Sequence, residues 1–172
     1  MSLSHPVIIE RVRPEDWRRA RAARLRALED SPDAFGITLA QDAAQPDTFW
    51  QERAASDRAD TFLASLNGED IGMAVVAPSH GAETDGGLYA VWVDPNARGA
   101  GAGRALLEAA IEAATHRGYH RLVLEVGDHN APAIALYARM GFEVTGETCT
   151  LAPPRTHITE HERARKLTPA KG

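Results

Sequence analysis

Gly99, Gly101 and Gly103 alternate through the run Arg98–Arg104, between the apolar segment Leu88–Val93 and the apolar stripe Leu106, Leu107, Ala110, Ile111 and Ala114. Alternating glycine gives up side-chain packing and carries an entropic cost, so the backbone it exposes is expected to be in use. With glycine at every second position the main chain can curl until successive N–H groups point at one spot. A helix starting there adds its own unpaired N–H groups and the positive end of its dipole. The chemistry is anion binding, with a phosphate or diphosphate as the natural guest. One glycine suffices for close helix–strand packing; three at alternate positions exceed that need. The candidate cradle is the main chain of Arg98, Gly99, Ala100, Gly101, Ala102, Gly103 and Arg104.

Other residues offer proton chemistry or its absence. Glu125 is the only charged residue inside Leu122–Val126. At strand spacing Leu122, Leu124 and Val126 share one face, while Val123 and Glu125 share the other. A carboxylate on a mostly covered strand is costly unless paired or usefully placed. Glu125 is therefore either the partner of an arginine or a proton acceptor near the strand's C-terminal end, where α/β sites open. Asn130 reads as a helix N-cap, because Ala131, Pro132 and Ala133 follow it. Tyr137, as a residue alone, is a core tyrosine with a satisfied hydroxyl or a proton donor. Nothing in the sequence activates Cys149 as a nucleophile. His157 with His161 and His116 with His120 are not a ligand set, so no metal is expected.

Spacing discriminates among phosphate-binding loops. A P-loop needs Gly-x-x-x-x-Gly-Lys-Ser/Thr, and no lysine or hydroxyl follows Gly103; a dinucleotide fingerprint needs Gly-x-Gly-x-x-Gly. The pattern Arg/Gln-x-x-Gly-x-Gly/Ala is met by Arg98, Gly101 and Gly103. Here the sequence resembles the GNAT acetyltransferase superfamily. Val93 to Leu107 is similar to the family's Val-x-Pro-x-x-Arg-Gly-x-Gly-x-Gly-x-x-Leu-Leu. A second family signature, Asn-x-x-Ala-x-x-Leu-Tyr-x-x-x-Gly-Phe, is matched by Asn130, Ala133, Leu136, Tyr137, Gly141 and Phe142.

The resemblance implies an acyl-CoA N-acyltransferase fold in which acetyl-CoA is the cosubstrate and no metal takes part. It places the diphosphate on the glycine loop and the pantetheine arm against the main chain of Val91, Trp92 and Val93, with a further contact from Asn130. It implies a V-shaped opening between Leu88–Val93 and Arg121–Val126, and direct attack of an amine on the thioester. Tyr137 falls on the family's tyrosine, the acid for the CoA thiolate. The segment from Glu125 to Tyr137 is also similar to protein N-terminal alanine acetyltransferases, which implies Glu125 as general base; a chain of waters is the family's other route. The acceptor implied is the primary amine of a small molecule or a peptide N-terminus, and family habit points to a homodimer. Two alternatives stand beside transfer: a non-catalytic acetyl-CoA-binding sensor or structural protein, and a nucleotide-binding module.

The elements that must position these residues follow from local signals. Residues 7–13 read as an edge strand, and Pro14 opens a helix to about Leu28. Glu29–Pro46 reads as a long loop, followed by a short helix at Asp47–Ala55 and a hairpin around Asn67-Gly68. A polar loop, Ser79–Gly87, precedes the strand Leu88–Val93; a helix at Gly101–Arg117 is ended by Gly118. His120–Val126 reads as a central strand, Asn130–Met140 as a helix, and two strands separated by Ala152–Arg155 close the chain. The fold class is α/β: a mixed central sheet of about seven strands with about four helices. One domain spans 1–172, with its core at about 7–167 and a tail at 168–172. The acceptor is expected against Asp30–Pro46, the second helix and the turn Ala152–Arg155, with Asp30, Asp33 and Asp42 able to favour a cationic amine.

Composition narrows the function classes. The net charge of −5 argues against non-specific nucleic-acid binding, and the arginines between Trp17 and Leu28 occupy the polar face of an amphipathic helix. No apolar run reaches membrane-spanning length, and the start lacks the basic lead and apolar stretch of a secretory signal. A single cysteine excludes an internal disulfide framework. The expectation is a cytoplasmic protein with neither a nucleic-acid nor a membrane partner.

Overall fold

The computed structural model describes residues 5–169, so the last three residues of the expected tail lie outside the described residues. In chain order the elements are β1 (Ile8–Arg11), α1 (Trp17–Asp30), α2 (Leu39–Ala43), α3 (Asp47–Ala55), β2 (Asp60–Leu66), β3 (Glu69–Pro78), β4 (Asp85–Val93), α4 (Ala102–His116), β5 (Arg121–Gly127), α5 (Ala131–Arg139), β6 (Glu143–Thr150) and β7 (Thr159–Lys166). The seven strands form one mixed sheet in the order β1-β2-β3-β4-β5-β7-β6. Five helices replace the expected four, because α2 lies inside the segment read as loop. Thr38 and Gln41 cap it reciprocally, side chain to backbone in both directions. That polar signature carries no apolar period, so the pattern of hydrophobic residues does not reveal it.

Two apolar clusters sandwich the sheet. Leu106, Leu107, Ala110 and Ala114 of α4 are fully buried against one face, with Ala64, Ala74 and Val76. Burying a leucine side chain contributes about 1.5–3 kcal/mol, so this stripe fixes α4, and with it the glycine loop, to the sheet. On the other face Ala23, Ala27 and Leu28 of α1 pack with Phe35, Leu63, Met73 and Trp92. No helix among the described residues is long and apolar enough to cross a membrane.

The join between β4 and β5 sets up the site. Strand β4 follows antiparallel β3 along its length, but it pairs with parallel β5 only through Asp85–Gly87 against Arg121–Val123. From Leu88 onward the two strands part, as expected from the resemblance. A bulge accompanies the parting: the β3–β4 register slips between Met73 and Val75, and Ala90 takes a φ of +54°. Bulges bend a strand and sharpen its twist, and left-handed backbone costs a residue with a Cβ about 1–2 kcal/mol.

The expectation that Asp85–Gly87 belong to a polar loop is corrected; they are the buried start of β4. Asp85 is tolerated there because Arg121 Nε donates to its Oδ2 at 2.8 Å. The glycines make room for rings: a Cβ on Gly86 would lie 2.6 Å from Tyr119, and one on Gly87 2.4 Å from Tyr89.

Candidate active site

The glycine loop divides its labour. Gly99 and Gly101 adopt φ of +90° and +88°, with open space where a Cβ would stand. Gly103 lies in the first turn of α4, and a Cβ there would sit 3.0 Å from Leu136 of α5. Its side chain is missing for packing, whereas the first two glycines serve the curl of the backbone. Gly101 is also the N-cap of α4, and no side chain caps the helix. Among the described residues, no main-chain N–H from Arg98 to Arg104 makes a hydrogen bond of good geometry to a protein acceptor. Arg104 Nε is turned along the helix to Glu108 at 2.9 Å, and Arg98 reaches only loosely toward Asp30 at 3.8 Å. The loop therefore presents main chain rather than guanidinium groups.

Beside the loop, the parting of β4 and β5 opens a cleft of about 590 Å³ that Val91, Glu125, Asn130 and Tyr137 line together. Trp92 and Val93 do not line it with side chains. The Trp92 indole is buried in the α1-side cluster and its Nε1 donates to Asp30 Oδ2 at 2.9 Å, while Val93 packs on the α4 side. Asn130 caps α5 as expected, its Oδ1 accepting from the Ala133 N–H at 3.3 Å. Tyr137 is 7% exposed, its ring edge-on to Phe142 at 5.9 Å between centroids. Burial pushes its phenol above the ordinary value, and its hydroxyl has no hydrogen-bond partner among the described residues.

Glu125 is exposed and aligned with Glu162 of β7, while Cys149 of β6 is aligned with Glu160. One ligand-type atom from each of Glu125, Cys149 and Glu160 lies within 4.8 Å of the others. Burial, followed by the charge of Glu125, raises the Glu160 carboxyl. Burial and the charges of Glu125 and Glu160 push the Cys149 thiol up to about 11, so it stays protonated at neutral pH.

The acids expected to greet a cation sit elsewhere: Asp30 holds Trp92, and Asp42 is buried against Arg24 at 2.9 Å. Asp33 is exposed and does not line the cleft. Sequence reasoning missed Glu160 and Glu162, although their spacing of two on one strand puts them on a common face. The expected loop and turn do meet. Arg155 Nη1 donates to the carbonyls of Pro32 at 2.6 Å and Phe35 at 2.8 Å, and Nη2 to that of Gly36 at 3.2 Å. Both Phe35 and Gly36 line the cleft.

Residues 20–142, which contain both sequence signatures, match the acetyltransferase (GNAT) family. The chain belongs to that family. This GNAT chain is 36% identical over 123 residues to a mycothiol acetyltransferase of Amycolatopsis mediterranei (strain U-32), covering 68% of its own length and 39% of the relative's. It is 31% identical over 153 residues to a mycothiol acetyltransferase of Cellulomonas flavigena, covering 84% and 42%. The chain thus spans about two fifths of the length of these curated relatives. Among solved structures, a ribosomal-protein-alanine N-acetyltransferase from Brucella melitensis aligns over 93% of this chain and 99% of its own, with 27% identity and a TM-score of 0.76. The GNAT match ends before β6 and β7, so Glu160 and Glu162 lie outside it.

Proposed function

We propose that this GNAT chain is an N-acetyltransferase that passes the acetyl group of acetyl-CoA directly to a primary amine. The observation that carries the reading is the row of unpaired main-chain N–H groups from Arg98 to Arg104, set at the N-terminus of α4 beside the open edge of β4. Such a row suits the diphosphate of the carrier. The edge of β4 beyond Gly87 is unpaired on its β5 side, so the pantetheine arm adds there like a short strand against Val91, Trp92 and Val93. Asn130, at the cleft wall, offers the arm a further polar contact.

Each proton then has a place. Glu125 takes one from the acceptor ammonium, directly or through one water. The freed amine attacks the thioester carbon, whose developing oxyanion is met by an N–H of β4. As the C–N bond forms the C–S bond breaks; the nitrogen gives up its second proton through water to the departing thiolate, to which the buried Tyr137 hydroxyl donates a hydrogen bond. A thiol of pKa ~8.5 needs little help from a phenol of ~10 or higher, so Tyr137 acts mainly as a hydrogen-bond donor. Cys149 has no part in direct transfer.

The relatives' names set two acceptor classes beside small amines: a mycothiol-type acceptor and the N-terminus of a protein. Release of free CoA from acetyl-CoA, followed across small amines, aminated sugars and peptide N-termini, tests the proposal. Turnover with one of these classes supports it. Tight acetyl-CoA binding with no release in any class would make the protein a sensor instead.

A further inference from the structure

The buried acids of this protein are matched with arginine: Asp42 with Arg24 at 2.9 Å, Asp85 with Arg121 at 2.8 Å, and Asp60 with Arg117 at 2.5 Å and Arg11 at 2.6 Å. Three carboxylates at one end of the cleft, one exposed and two half-buried, have no arginine partner among the described residues. Glu125, Glu160 and Glu162 all line it, and none forms an ion pair among the described residues. Strand register gathers them: Glu125 stands opposite Glu162, and Glu160 is two residues away on the same face of β7. Glu162 accepts one hydrogen bond, from the Thr145 hydroxyl at 2.9 Å.

The cations facing this group compensate it poorly. His129 and Arg155 lower the Glu160 carboxyl less than burial and Glu125 raise it, and the Arg155 guanidinium is occupied by the carbonyls of Pro32, Phe35 and Gly36. Into the same cleft faces Tyr137, more than nine-tenths buried and with its hydroxyl unpartnered among the described residues. A carboxylate cluster without arginine partners and a hydroxyl without a protein partner, facing one cleft, are both completed by a guest.

A reacting monoamine accounts for only one of the three carboxylates. It must lose its proton to attack, and a field of three negative groups holds that proton on. Glu125 suffices to accept it. The other two suit a positive centre that stays charged throughout.

We infer that the acceptor carries a second protonated nitrogen, held by Glu160 and Glu162 while the reacting amine faces Glu125. This rests on the N-acetyltransferase reading and gives its acceptor a class: a diamine or larger polyamine, in preference to a monoamine or a zwitterionic amino acid.

Calorimetry on the CoA-loaded, chelator-treated protein tests this without requiring turnover, using 1,4-diaminobutane, butylamine and 4-aminobutyrate as probes of equal chain length. The diamine binds about tenfold or more tighter than butylamine, the scale of one charge-assisted hydrogen bond, and the carboxylate-bearing probe binds weakest. Raising the salt narrows the gap, as does either Glu160→Gln or Glu162→Gln, while the affinity of each variant for CoA shows that it is folded. Equal binding of diamine and monoamine overturns the inference. So does a diamine preference that disappears on chelator treatment, which would hand the carboxylates to a metal ion. Tight diamine binding with no CoA release from acetyl-CoA in any amine class would instead sink the transferase reading and leave the cation subsite standing.

Discussion

A single hydroxyl separates the two roles open to Tyr137, since its ring is packed on Phe142 whether or not the oxygen reacts. Tyr137→Phe keeps the ring and is expected to lower kcat about tenfold with the KM for acetyl-CoA within twofold, the signature of a contact made in the transition state. Unchanged kcat would return Tyr137 to the core. Gly101→Ala tests the curl of the loop. Its φ of +88° costs a side chain about 1–2 kcal/mol, so acetyl-CoA affinity is expected to fall about tenfold in calorimetry while far-UV circular dichroism is unchanged. The glycine motif, Asn130 and Tyr137 were legible because their types and spacing are local. The distinct task of Gly103 was not, because it depends on Leu136 of another helix. For the same reason the acidic residues were misplaced: Asp42 looks free in sequence until Arg24 is found against it.

At the scale of elements, the cleft wall proposed to face the acceptor depends on Arg155. One guanidinium ties the turn between β6 and β7 to the segment after α1 across more than a hundred residues of chain. Arg155→Ala is expected to raise the acceptor KM about tenfold and leave the acetyl-CoA KM within twofold, with partial recovery in Arg155→Lys. Equal rises in both KM values would mean general loosening rather than a positioned wall. Element order and the apolar stripe of α4 were readable from periodicity. The bulge at Ala90 was not, because alanine carries no sign of left-handed backbone; the strand pairing imposes it. Asp85–Gly87 looked like loop for a related reason. Polar and glycine residues mark turns unless a partner such as Arg121 or a neighbouring ring makes burial tolerable.

Across the whole molecule, Asp60 is a junction where Arg11 of β1 and Arg117 after α4 meet β2. Burial alone would raise its carboxyl, but the hydrogen bond and charge of Arg117, with Arg11, outweigh burial and hold it below the ordinary carboxylate value. The folded pKa lies under the unfolded one, so this stabilisation is complete above about pH 4 and disappears as the pH falls through the folded value. Asp60→Asn is expected to remove about 2 kcal/mol of stability in urea unfolding at pH 7, and to flatten the acid limb below pH 4. Glu160 has the opposite sign. Its carboxyl is raised by burial and Glu125, so its ionisation costs stability at neutral pH and protonation relieves the cost on acidification. Glu160→Gln is expected to gain about half a kcal/mol at pH 7, a small figure because solvent screens a half-exposed group, and nothing at pH 4.

Acetyl transfer as proposed requires the amides between Arg98 and Arg104 to hold the diphosphate of acetyl-CoA. The most direct measurement follows the backbone amide resonances of Gly99, Gly101 and Gly103 while coenzyme A is added. Their protons are expected to move downfield, as on forming charge-assisted hydrogen bonds, and to saturate with the affinity found by calorimetry. Saturable binding that leaves all three amides unmoved would contradict it.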